Sequence, residues 1–153
     1  MRINLIAIGK KMPEWLNSGI HHYQKQLPSS YNFTLTRLEA QNRKTNNIDK
    51  IKTLEGKMLL EAAKGSTTLI AFDEPGKQQS SRMIAKSIET WQLNGDNVAL
   101  IIGGADGLSS ELKQQCHYIW GLSNLTITHS IARLLVIEPV SYTHLTLPTI
   151  YSV

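Results

Sequence analysis

Gly103 and Gly104 follow directly on an apolar run, Val98 to Ile102, and stand just ahead of Ser109-Ser110-Glu111. Such a run fills a strand buried on both faces, and the serines mark a helix start. In an open α/β sheet, ligands sit in the crevice beyond the carboxyl ends of the strands, so the glycine pair is the first candidate for holding a cofactor. Without Cβ atoms, backbone there can approach a ligand closely; the plainer alternative is a turn that merely closes a βα connection. His129 and Arg133 stand four apart at the start of the last helix and therefore project from one face. Gln41 to Asn47 is polar and basic without an apolar anchor, which suits either a solvated loop or an arm that contacts phosphate.

Strands and helices must alternate to position these residues. Ile3 to Ile8, Phe33 to Leu38, Thr67 to Phe72, Val98 to Ile102 and Leu125 to Ile127 read as strands. A first helix opens at Pro13, carries Leu16, Ile20, Tyr23 and Leu27, and stops at Pro28. Ile48 to Lys64 forms a second, with Ile51, Leu54, Met58 and Ala62 on one side and Gly65 at its end. Ser80 or Ser81 caps a third that buries Ile84, Ile88 and Trp91 and ends at Asn94-Gly95, and Ser109 caps a fourth carrying Leu112, Cys116 and Ile119. Ser130 to Glu138 is a short final helix, because Pro139 disfavours helix at the residue before it. The alternation predicts one α/β domain with a mostly parallel sheet flanked by helices. Asp73-Glu74-Pro75-Gly76-Lys77 is then a loop at the same sheet edge as the glycine pair, and Lys10 and Lys11 leave the first strand there too.

The 153 residues fit one domain, and 16 basic against 12 acidic side chains give a net charge of +4. That mild excess permits a polyanionic partner such as RNA. The single cysteine, Cys116, can form neither an internal disulfide nor a thiolate metal site; it reads as a small packing group in a reducing cytoplasm. No signal-peptide pattern opens the chain, and no apolar run spans a bilayer. A Rossmann-type oxidoreductase is disfavoured, since only Gly9 follows the first strand where G-x-G-x-x-G would stand, and a Walker loop is missing as well.

Four motifs occur in a fixed order: Lys11-Met12-Pro13, Asp73-x-Pro75-Gly76-Lys77, Ile102-Gly103-Gly104-Ala105-Asp106-Gly107, and Leu122-Ser123-x-Leu125-Thr126-x-x-His129-x-x-x-Arg133. Together they resemble the ribosomal RNA large subunit methyltransferase H family of knotted SPOUT methyltransferases, over Met1 to Glu138. The resemblance implies a trefoil knot near the C-terminus, a homodimer, and methyl transfer from S-adenosyl-L-methionine to N3 of a pseudouridine in 23S ribosomal RNA of the assembled 70S ribosome. It also implies a cofactor pocket of Phe72, Gly103, Gly104, Ser123, Asn124, Leu125, Thr126, Ile127 and Thr128, with Phe72 where relatives often have leucine. The sulfonium of such a donor already activates the leaving group, so no metal is needed, and the protein's share is positioning and removal of the N3 proton. His129 and Arg133 would orient the RNA and neutralise a phosphate or the charge developing on the base. Their plainer roles are a helix-entry residue satisfied by local backbone and a surface or dimer-interface cation. Lys10, Lys11, Arg43 and Lys44 are further RNA-contact candidates.

The likeness ends at Glu138, which makes 1–138 the family domain and 139–153 a non-family tail. From Pro139 onward the chain is β-branched without helical period, and Val140 to Leu145 matches one reading frame of a common sequencing-library transposon end. That tail is expected to be non-native, and Tyr142, His144 and Tyr151 inherit no family role. In the family the last helix passes through the knot and floors the pocket, so an altered end predicts an incomplete knot and impaired activity. The competing class is a non-catalytic RNA- or ribosome-binding module.

Overall fold

The computed structural model describes residues 1–42, 44 and 47–141. Five strands, β1 (Arg2–Ile8), β2 (Thr34–Leu38), β3 (Thr68–Gln78), β4 (Asn97–Ile102) and β5 (Tyr118–Gly121), form one sheet in the order β2-β1-β4-β3-β5. Every pairing is parallel, with β4 in the centre between β1 and β3. The central strands are apolar on both faces because both faces are covered. Ile3, Leu5, Ala7, Val98, Leu100 and Ile102 pack under α3 (Ser81–Asn94) and α5 (His129–Val140). Ile6, Ile8, Ala99 and Ile101 pack under α2 (Ile48–Ala62) and α4 (Ser110–Gln115). The remaining helix, α1 (Glu14–Gln24), buries Leu16 and Ile20 against Ile137 of α5. Each such Ile or Leu contributes about 1.5–3 kcal/mol on leaving water, which is what fixes the two-sided layering.

The expected caps form: the Ser80 hydroxyl accepts from Met83 N–H at 3.1 Å, that of Ser109 accepts from Leu112 N–H at 3.2 Å, and Gly95 ends α3 at φ +69°. Four expectations are corrected. The fifth strand is Tyr118–Gly121, and Leu125 to Ile127 is irregular chain. His117, just ahead of that strand, leads the chain into it: its backbone N–H donates to the Leu69 carbonyl (2.8 Å) and its Nδ1 accepts from Leu69 N–H (2.9 Å), so α4 stops short and Ile119 joins the ladder. Leu112, Cys116 and Ile119 share helical spacing without sharing a helix.

Asp73 to Lys77 is no free loop but a bulged part of β3: Phe72 and Lys77 both pair with Trp120. Gly76 makes this possible, because a Cβ there would lie 2.6 Å from the Trp120 carbonyl carbon. Finally, α5 runs through Pro139 to Val140. A proline in the last turn removes only one helical hydrogen bond, while Val140 is buried and the Ser141 N–H and hydroxyl both reach the Glu138 carbonyl (3.0 and 2.6 Å). Arg43, Tyr142, His144 and Tyr151 lie outside the described residues. Among the described residues no helix is long and apolar enough to cross a membrane.

Candidate functional site: a cleft at the carboxyl edge of the sheet

Parallel strands bring β3 and β4 to end side by side, and the chain leaving β5 returns over both. Between them opens a cleft of about 630 Å³, inside the range of roughly 300–1,000 Å³ typical of small-molecule sites. Phe72, Gly103, Gly104, Ser123, Leu125, Thr126, Ile127 and Thr128 all line it; Asn124 does not. The glycine pair and the Leu122 to Thr128 segment, separate in sequence, therefore form the walls of one slot.

The glycines have different jobs. The turn is closed by Gly107 N–H donating to the Gly104 carbonyl at 3.1 Å, with Gly107 at φ +84°. A Cβ on Gly103 would meet Leu108 Cδ2 at 2.7 Å and the Gly107 carbonyl oxygen at 3.0 Å, so Gly103 serves the packing of the turn itself. Opposite, the loop after β5 is braced by its own hydroxyls. Ser123 Oγ accepts from Leu125 N–H (3.0 Å), Thr126 Oγ1 donates to Glu74 Oε1 (3.4 Å), and Thr128 caps α5 through Ile131 N–H (3.5 Å). Phe72 is held in a T-shaped contact with Trp120, centroids 6.2 Å apart, and is buried apart from what it offers the cleft.

Asp73 and Glu74 also line the cleft, and reading the sequence did not assign them to it. The signal was present: a motif at the end of a strand parallel to β4 must reach the same edge. Lys113 Nζ of α4 pairs with Asp73 Oδ2 at 2.6 Å, both side chains largely shielded from solvent. No Lys or Arg stands among the described residues that line the cleft, although the chain as a whole is basic.

His129 lines the cleft at the N-terminus of α5. Arg133, one turn on, does not, and the expectation that it meets RNA or solvent is corrected: it is 0% exposed. Its Nη2 donates to the carbonyls of Ile8 (2.6 Å) and Gly9 (3.0 Å), bolting α5 to the end of β1. Nε and Nη1 are buried with no hydrogen-bond partner among the described residues. Burial, and after it the charge of Arg37, pulls this guanidinium down to about 10. Gly9 is dictated by the arrangement: its φ is +112°, and a Cβ would sit 3.0 Å from Arg133 Nη2 and 3.6 Å from His129 Cε1. Lys10 and Lys11 are exposed beside it, Arg37 is exposed at the end of β2, and Lys44 is exposed beyond. Cys116 is half-buried and its thiol is raised by burial to about 11, as suits a packing group.

At the carboxyl edge of the parallel sheet, then, stands a cleft of small-molecule size with a glycine turn in its wall and neither Lys nor Arg among the described residues that line it. The chain belongs to the SPOUT methyltransferases: the family described as "Predicted SPOUT methyltransferase" matches residues 1–147. It is 37% identical over 141 residues to the "Ribosomal RNA large subunit methyltransferase H" of Hydrogenovibrio crunogenus, covering 92% of this chain and 90% of that one. Its fold is similar to a probable methyltransferase from Bordetella pertussis Tohama I (TM-score 0.63, 16% identity, 94% of each chain). A probable methylase family protein from Haemophilus influenzae Rd KW20 shares it too (TM-score 0.60, 13% identity), covering 94% of this chain and 66% of that one.

The cleft fits S-adenosyl-L-methionine. Leu108, Leu122 and Ile127 offer apolar wall to an adenine, the backbone of the glycine turn and of the 123–128 loop offers hydrogen-bonding groups, and carboxylates rather than cations suit a sulfonium.

Proposed function

We propose that this protein transfers a methyl group from S-adenosyl-L-methionine to N3 of a pseudouridine in 23S ribosomal RNA of the assembled 70S ribosome. The observation that carries the reading is the convergence of the glycine turn, the 123–128 loop and His129 on one cleft without cations. Phe72, Gly103, Gly104, Ser123 and Leu125 to Thr128 hold the donor, which supplies an activated methyl group. His129 is the catalytic residue, touching the target base and countering the charge that develops as N3 loses its proton. Arg133 is a positioning residue that keeps α5, and so His129, against the end of β1.

Lys10, Lys11 and Arg37 line the approach for RNA phosphates. A homodimer in the cytoplasm accords with the apolar surface of α1 and α5, where Trp15 is 62% and Ile131 42% exposed. Residues 1–138 are the methyltransferase domain, and the altered chain from Pro139 on, of which the family match takes in residues up to 147, lowers turnover.

Incubating ribosomes that lack the modification with labelled donor tests this: label should enter 23S RNA, more slowly than with a family-type tail restored. Absence of label with both tails overturns it. RNA binding without donor binding in calorimetry would instead support a non-catalytic module, the reading favoured by the altered end.

A further inference from the structure

The charge of the cleft runs against the charge of the chain. In a protein of net charge +4, the described residues lining the cleft include two carboxylates and neither Lys nor Arg. One carboxylate is already balanced, since Asp73 is ion-paired with Lys113 at 2.6 Å. The other, Glu74, has no cationic partner among the described residues; its contact is the Thr126 hydroxyl, which donates to Oε1 at 3.4 Å across the mouth of the slot. Glu74 is thus the net negative charge that the cleft offers a ligand.

We propose that Glu74 is the residue by which the site distinguishes the charged methyl donor from its neutral product. The inference rests on the reading of the cleft as a site for S-adenosyl-L-methionine. In the transfer, the sulfur–methyl bond breaks with both electrons remaining on sulfur, the methyl carbon bonds to the base nitrogen, and that nitrogen gives up its proton. The sulfonium becomes a thioether, so the ligand's net charge falls from +1 to 0. Attraction to Glu74 strengthens loading and disappears on turnover, which favours release of S-adenosylhomocysteine. Glu74 is exposed, and an exposed carboxylate beside a cation is worth up to about fivefold, diminishing with salt.

Calorimetry with S-adenosyl-L-methionine and S-adenosylhomocysteine on the full chain tests the proposal. Glu74→Gln keeps an acceptor for Thr126 and removes only the charge, so it should lower the preference for the charged ligand about fivefold, chiefly by weakening that ligand. Thr126→Val removes the hydrogen bond and keeps the charge, so it should weaken both ligands alike. If both bind the native chain and Glu74→Gln leaves their ratio unchanged, the proposal is overturned and the cofactor assignment stands. If the native chain binds neither, both are overturned.

Discussion

One edge of one sheet carries two surfaces of opposite character. At the ends of β3 and β4 the cleft is apolar and lined by carboxylates. At the ends of β1 and β2, Lys10, Lys11 and Arg37 stand exposed over the buried guanidinium of Arg133. Parallel topology delivers all strand ends to the same side, so residues chosen strand by strand give that one side two surfaces of opposite charge. A small cation and a polyanion can then be held next to each other without competing for the same groups. His129 stands at the border, lining the cleft and lying close to Gly9.

The largest expected effect strikes the cleft alone. Gly104→Val should weaken donor binding by about two orders of magnitude or more in calorimetry, since a branched side chain blocks close backbone approach, while the melting temperature changes little. Gly103→Val should do the reverse in kind, lowering the melting temperature through its collision with Leu108. Next comes the border. His129→Ala should reduce single-turnover methylation roughly 100-fold, the scale of a lost proton-handling group, and leave donor affinity near that of the native chain.

The basic surface should respond more mildly. Lys10→Glu with Lys11→Glu should weaken RNA binding about tenfold at low salt and flatten its salt dependence, without touching donor affinity. An unchanged salt slope would move the RNA elsewhere on the molecule. The smallest effect lies away from both surfaces. Folding holds the Cys116 thiol at about 11 against an ordinary 9.0. Above pH 9 the unfolded chain releases a proton that the folded chain retains, so stability present below pH 9 declines as pH rises toward 11. Cys116→Ala should remove that part of the alkaline decline in urea melts.

The layered fold was legible because its strands and helices announce themselves by period and by caps. Val98 to Ile102 is apolar throughout since both faces are covered, and Ser80, Ser109 and Gly95 mark helix ends by local hydrogen bonds and backbone conformation. What escaped reading depended on distant partners. Tyr118 to Gly121 becomes a strand because β3 pairs with it, and Leu125 to Ile127 does not because it pairs with no strand among the described residues. Likewise the cofactor loops were legible from their motifs and Asp73 to Lys77 from its place at the same sheet edge, whereas the bulge in β3, fixed by close contact between Gly76 and Trp120, was not. Arg133 looked like a surface cation by type. Its burial is set by the carbonyls at the end of β1, which no local pattern around it reveals.

That bolt joins residues 125 positions apart. During synthesis the first strand emerges long before the arginine that will clamp its end exists, so the corner holding His129 is among the last pieces to set. Because long-range closures are slow, an immature chain can own a finished sheet while the corner at which His129 lines the cleft is still unformed.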